Sequence, residues 1–187
     1  MSYKNNTLRR YLDDLAAKLP APGGGSAAAL TAALGASLLS MVINFTLGKP
    51  KYAAYAGELS RALEQTEKLR NEFLNLVDMD VVAYKSKNLR DALDVPFMVA
   101  RLCFEAAKLL PQLSKKTNPN LATDLAVAAE FFEAAFAAAR FNAEINLKNF
   151  GDEKLAKGMR KELDLKERQI KKIRQKTEEE VGEIIRR

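Results

Sequence analysis

The sequence predicts an all-α protein, a helical bundle of about six helices. Three observations carry that prediction. Apolar residues recur at helical spacing, as with Leu59, Leu63, Leu69, Phe73, Leu76, Val77, Val81 and Tyr84 in one stretch. No stretch alternates with the period of two that marks a half-buried strand. The apolar share is 48%, yet aromatics are only 7% and Trp is absent, so the core is Ala and Leu, which suits helices at close range. At 187 residues the chain is long enough for one domain, 1–187, with its own core.

The elements follow in order. Thr7 to Lys18 reads as a short amphipathic helix capped by Thr7, with Leu8, Tyr11, Leu12 and Leu15 on one face. Pro20-Ala21-Pro22-Gly23-Gly24-Gly25-Ser26 then interrupts it. Pro22 stops a helix, the glycines permit unusual backbone angles, and Ser26 is a good N-cap. Ser26 to Leu47 is a helix apolar on nearly every face, ended by Gly48 and Pro50. Its small residues Ala28, Ala32, Gly35, Ala36 and Ser40 let a neighbour come close. Lys51 to Lys87 is a long helix, and Asn88 to Val95 an interruption before Pro96. Pro96 to Ser114 is a further helix with Val99, Leu102, Cys103, Ala106 and Leu110 buried, kinked or ended by Pro111. Asn118 caps and Pro119 opens the next helix, Ala-rich and running from Asn120 to Phe150, where Gly151 breaks it. Asp152 to Ile185 is the last. Two of these helices, the second and the fifth, are Ala-rich and expected to be buried.

Ala21 to Gly48 carries no charge and is long enough to span a bilayer. Its alanines supply little insertion energy, and Ser26, Thr31, Ser37, Ser40, Asn44 and Thr46 count against it. A helix enclosed by its own domain or by a partner subunit fits better. The net charge is +6, and residues 151–187 hold 12 Lys/Arg against 9 Asp/Glu. The signs interleave there and no aromatics accompany them. That reads as a solvated helix face and not a nucleic-acid track. The lone Cys103 forms no internal disulfide and sits in an apolar run, as expected of a buried thiol in a reducing compartment. The first residues are polar, without a signal peptide, so a cytoplasmic protein is expected.

With no His and one Cys, a zinc, copper or haem site is not expected, and a Ser–His or Cys–His nucleophile is excluded. Acid–base chemistry must fall to carboxylates, Lys or Tyr. Asp78 and Asp80 are two apart, so they point in different directions on a helix. Asp80, one turn before Tyr84, is the one expected to face inward. It is either a solvated aspartate or a buried one with a raised pKa that carries a proton. Asp124 lies near a helix start, where an acidic residue complements the dipole or serves a site. Asn142 and Asn146 share a helix face and, with Asn44, are core amides or a hydrogen-bonding wall for a flat heterocycle. Lys49 and Lys51 are free surface lysines or a clamp for a carboxylate tail. The glycine run is a tight turn or an anion-binding loop at a helix N-terminus.

PAPGGGSAAALTAALGASLLSMVINFTLGKPKY resembles the start of the cyclodeaminase/cyclohydrolase family of folate enzymes. The resemblance continues at DVVAY, VPFMVARLCFEAAKLL and NPNLATDLAVAAEFFEAAFAAARFNAEINL, covering nearly the whole chain in order. It implies an all-helical homodimer with folate sites near the glycine loop. A tetrahydrofolate derivative would be the substrate, with no permanently bound cofactor, no metal, no nucleic acid and no membrane. The chemistry implied is at the carbon bridging N5 and N10, as methenyltetrahydrofolate cyclohydrolase or formiminotetrahydrofolate cyclodeaminase. Carried over by position, Gly23, Gly24, Gly25 and Ser26 match the family's glycine loop. Asn44, Lys49 and Lys51 match its asparagine and basic positions, and Asn142 and Asn146, the candidate wall for the heterocycle, lie in the Asn…Ile-Asn-Leu segment that is part of the resemblance. Asp80 and Asp124 match acidic positions, as proton shuttle and electrostatic partner with exchangeable roles. Asp78 has no clear counterpart. Between Tyr84 and Pro96 the chain reads KSKNLRDALDV, shorter than the family segment. The alternative it raises is a non-catalytic helical dimer with an incomplete folate pocket.

Overall fold

A computed structural model describes residues 2–186. The α-helices are α1 (Leu8–Ala16), α2 (Gly24–Asn44), α3 (Ala56–Ser86), α4 (Leu89–Ala107), α5 (Leu110–Leu113), α6 (Ala122–Phe150) and α7 (Glu153–Ile185). Two 3-10 turns, Pro50–Tyr55 and Pro119–Leu121, lead into α3 and α6, and no strand occurs among the described residues. The six expected helices are present, and α5 is a single extra turn around Pro111.

Local capping chemistry explains several of the starts. Thr7 caps α1 by accepting from the Arg10 amide at 3.1 Å. Its buried residues, however, are Tyr11 and Asp14, while Leu8 and Leu12 of the expected apolar face stand exposed. Helix α2 starts two residues before Ser26, with Gly23 as the N-cap. Ser26 is therefore not the cap; it is a buried residue of the first turn. Asn118 caps the turn before α6 by accepting from the Asn120 amide at 3.2 Å.

The interruption expected at Asn88–Val95 is absent, because those residues are the cap and first turns of α4. Asn88 accepts from the amides of Arg90 and Asp91 at 2.9 and 3.4 Å, and the helix runs through Pro96. Pro96 has no N–H, so the Ala92 carbonyl loses its normal helical donor. The Asn146 side-chain amide of α6 donates to that carbonyl at 2.5 Å instead. A tertiary hydrogen bond thus replaces the one the proline removes.

Helices α2, α3, α4 and α6 pack in a ring of four, and α7 lies across α6 and α4. α2 and α6 run antiparallel: Gly24 faces Asn142, Gly35 faces Phe132, and the Asn118 amide donates to Thr46 Oγ1 at 3.0 Å. A Cβ at Gly35 would sit 2.9 Å from the Phe132 ring, so the close approach depends on glycine there. α2 is long and apolar enough to cross a membrane, but 12 of its 21 residues are buried within the domain. The tail charges do not form the fully solvated face expected. Arg140 pairs with Asp164 at 2.6 Å, Arg174 with Glu133 at 2.7 Å and Arg160 with Glu144 at 2.7 Å, joining α6 to α7. Such part-exposed pairs contribute at most about 1 kcal/mol each and chiefly set register.

Candidate active site at the start of α2

A cavity of about 290 Å³ opens where α2 begins. Gly23, Gly24 and Gly25 form its floor, α3 supplies Asp80 and Tyr84, α4 supplies Ala92, and α6 supplies Asn142, Ile145 and Asn146. A larger hollow of about 850 Å³ lies between the end of α6 and α7, lined by Lys148, Lys157, Arg160, Lys161 and Arg168. Size does not choose between the two. The smaller one holds a half-buried carboxylate, and none of its lining residues is Lys or Arg.

That carboxylate is Asp80. Its Oδ2 accepts the Ser26 amide N–H at 2.9 Å. The anion at the positive end of α2 is therefore the protein's own side chain. Burial pushes the Asp80 carboxyl above its ordinary value, and the Ser26 N–H only partly offsets this. Gly25 makes the approach possible: a Cβ there would lie 2.1 Å from Asp80 Oδ1 and 2.8 Å from its Cγ. At Gly23 nothing lies within 4 Å of the same construction. The steric demand for glycine is thus at position 25. Gly25→Ala is expected to keep the helix, since Ala favours helix interiors by about 1 kcal/mol. It should drive Asp80 out of its place and lower turnover at least ~100-fold. Circular dichroism beside a turnover assay checks both halves.

The amides are engaged through their nitrogens. Asn142 Nδ2 donates to the Ala138 carbonyl at 2.9 Å and Asn146 Nδ2 to Ala92 at 2.5 Å. Ser26 lies behind the cavity, donating its hydroxyl to the Val77 carbonyl at 3.0 Å. Asp78, which the sequence left without a role, accepts from Ser2 Oγ and the Tyr3 amide, both at 2.6 Å, and ties down the N-terminal segment.

The structure gathers Gly23, Gly24, Gly25, Ser26, Asp80, Asn142 and Asn146 at one place. It does not bring Asn44, Lys49, Lys51 or Asp124 there. Asn44 ends α2, at the opposite end from Gly24, about 30 Å away at 1.5 Å per residue. Lys49 and Lys51 follow Asn44. Asp124 starts α6, and the bond between Asn118 and Thr46 places that start beside the end of α2. The expected site residues thus fall into two groups at opposite ends of the α2–α6 pair. Tyr84, which helical spacing groups with the apolar residues of its helix, is exposed and lines the cavity. The signal was present: a residue one turn from Asp80 shares its face. Ile145, one position before Asn146, was also missed.

Fold and site together define a class: an all-helical domain with an open pocket at a glycine-started helix N-terminus and one half-buried carboxylate. A family model described as formiminotransferase-cyclodeaminase matches residues 7–87 and 85–165. The chain belongs to that family. It is 34% identical over 183 residues to a methenyltetrahydrofolate cyclohydrolase of Methylorubrum extorquens, covering 86% of this chain and 88% of that one. It is 30% identical over 170 residues to the formimidoyltransferase-cyclodeaminase of Rattus norvegicus, covering 79% of this chain but only 31% of the rat protein. The crystal structure of a formiminotetrahydrofolate cyclodeaminase from Thermotoga maritima superposes with a TM-score of 0.92 at 31% identity. That match covers 97% of this chain and 98% of the other, so no large part of the Thermotoga protein lacks a counterpart here. The two segments matched by the family model meet at residues 85–87, where α3 turns into α4. The short connection noted in the sequence therefore leaves the fold intact.

Proposed function

We propose that this chain is a one-carbon folate enzyme, acting on the carbon that bridges N5 and N10 of a tetrahydrofolate, with Asp80 as the proton carrier. The observation that carries the reading is the Asp80 carboxyl, half-buried at the wall of an open cavity, gripped by the Ser26 N–H and raised in pKa by burial. A carboxyl of this kind holds a proton closer to neutrality than an exposed one. In cyclodeamination, N10 adds to the protonated formimino carbon and loses its own proton. The resulting tetrahedral carbon carries an amino group, which takes a proton and leaves as ammonia. The cationic methenyl bridge remains. In cyclohydrolysis, water adds to that cationic carbon and loses a proton. Protonation of N5 then breaks its bond to that carbon, and the hydroxyl there gives up its proton to leave a formyl group on N10. Both routes need a proton delivered to one nitrogen and an anion near a delocalised cation, which Asp80 supplies in its two protonation states. Asn142 and Asn146, with their nitrogens engaged, have amide oxygens for the N–H groups of a pterin, and Tyr84 and Ile145 flank it.

A cavity of about 290 Å³ is at the small end of ligand sites. It suits the ring system, with the remainder of a folate outside. A second copy of this chain supplies that outer wall in our reading. The charged residues of α6 turn toward α7, as with Glu133, Arg140 and Glu144. The outer stripes of α2 and α6 are uncharged and side by side: Leu34 and Phe45 on one, Val127, Phe141 and Ile145 on the other, all exposed. They belong to two runs with heptad spacing, 27-31-34-38-41-45 and 127-131-134-138-141-145. Such an apolar face is the mark of an interface. Ile145 belongs both to the face and to the cavity lining. A two-fold axis in that face, perpendicular to α2, lays α2 antiparallel on its mate. The partner's Asn44, the partner's Lys49, the partner's Lys51 and the partner's Asp124 then reach the mouth of the cavity. There the lysines meet the folate's carboxylate tail and the partner's Asp124 faces the cationic carbon.

The near-ultraviolet band of the methenyl bridge tests the activity. Its loss from methenyltetrahydrofolate above the buffer rate is expected of a cyclohydrolase. Its appearance from formiminotetrahydrofolate, with ammonia released, is expected of a cyclodeaminase. No change with either substrate contradicts both.

A further inference from the structure

The N-terminal segment reaches the same carboxylate from behind. Tyr3 is fixed by its amide to Asp78 Oδ1 at 2.6 Å, and its hydroxyl donates to Asp14 Oδ2 at 3.0 Å. Asp14 is also held by Arg10 Nε at 2.9 Å. The Tyr3 ring meets Tyr11 edge to face, 5.4 Å between centroids. The buried Tyr11 hydroxyl donates to Ser26 Oγ at 3.2 Å, Ser26 Oγ donates to the Val77 carbonyl at 3.0 Å, and the Ser26 amide donates to Asp80 Oδ2 at 2.9 Å. Ser26 has no measurable exposure and Tyr11 is 4% exposed, so water does not substitute in the chain. Nothing in the proton chemistry above uses Tyr11, Tyr3 or Asp78.

We infer that Tyr11 is a positioning residue for Asp80, acting through Ser26, and that the Asp78 latch on the N-terminal segment holds Tyr11 in place. The inference rests on the reading of Asp80 as the proton carrier. Its physical content is the alignment of one N–H. Ser26 is gripped on two sides through its hydroxyl, by Tyr11 and by the Val77 carbonyl. The grip fixes the first turn of α2 against α3 and keeps the Ser26 amide pointing at the carboxylate. Remove the Tyr11 hydroxyl and one of the two constraints is gone, so the amide is held less firmly toward the carboxylate. The other groups about Asp80 do not compensate. Tyr84 on α3 and Tyr11 on α1 are the titratable neighbours, while α2, α4 and α6 bring glycines, Ser26, Ala92, Ile145 and amides, none of them titratable.

The test is the titration of the Asp80 carboxyl carbon by NMR in protein labelled at Asp, with Asp80→Asn giving the assignment. Tyr11→Phe keeps the ring and removes only the hydroxyl. It is expected to raise the Asp80 midpoint relative to the unmodified chain, because the N–H that favours the carboxylate is lost or weakened. Ser26→Ala, which removes both side-chain hydrogen bonds, should raise it further. Asp78→Asn, which loosens the latch, should move it in the same direction by less. Turnover in Tyr11→Phe should fall about threefold to tenfold, with the acid limb of its pH profile shifted upward by the same amount as the NMR midpoint. An unchanged Asp80 midpoint in folded Tyr11→Phe and folded Ser26→Ala overturns the inference. The titration does not depend on turnover, so a failure of the folate reading would appear separately, as no activity in a chain whose Asp80 midpoint still responds to Tyr11.

Discussion

Asp80→Asn is expected to lower turnover by roughly 100- to 10,000-fold, the range lost when a positioned acid–base group is removed. It should leave KM for the folate nearly unchanged, because Asn keeps an oxygen for the Ser26 amide and the cavity keeps its shape. The same substitution should stabilise the fold, and only in one pH range. Burial raises the Asp80 pKa above its ordinary 3.8. A carboxyl raised on folding adds stability that is complete below the unfolded value. That stability is lost as pH rises through the folded value, when the buried group must ionise. Asn never ionises. The melting temperatures of the variant and the unmodified chain should therefore agree in acid below 3.8 and diverge as pH rises, the variant being higher. Thermal melts across that range, beside turnover, check both. A gain in stability with a loss of activity is what a catalytic carboxyl kept partly out of water predicts. A variant equally active, or a stability difference independent of pH, contradicts the assignment.

The helices were legible because their signals are local. Thr7, Asn118 and Gly151 sit where caps and breaks belong, and periodicity marked α3 and α7. Asp80 was legible too, as one carboxylate in LVDMDVVAY whose neighbours at helical spacing are apolar. Three features were not legible. Pro96 carries a strong local rule against helix, and the compensating donor, Asn146, is 54 residues from the Ala92 carbonyl it meets. The glycine run suggested room for a ligand, but at position 25 the room is taken by Asp80, a contact between helices that no spacing displays. The two groups of site residues were not separable either. Sequence order does not say that α2 and α6 hold Gly24 and Asn44 at opposite ends of the bundle, nor that a second chain could rejoin them.

That separation leads to the second large effect. In a site shared between two copies, Asp80 and Asp124 serve one reaction from different chains. Asp124→Asn should then lose most of its turnover although the residue is a full helix length from the cavity in its own chain. Lys49→Ala with Lys51→Ala should raise KM more for a polyglutamate folate than for a monoglutamate. Mutation of the face, Phe141→Glu, should yield monomers with little activity and an intact helical signal, since Phe141 is 76% exposed in the single chain and contributes little to its core.

The most direct measurement is complementation between two inactive variants. Asp80→Asn chains and Asp124→Asn chains are mixed, exchanged under mild conditions and assayed, with heterodimer formation followed by native mass spectrometry. Each heterodimer has one site with both substitutions and one with neither. Random exchange should thus restore about one quarter of the unmodified activity. Recovery near that level is the result expected here. Confirmed heterodimers without recovery, or an Asp124→Asn chain fully active alone, would contradict a site shared between the two copies.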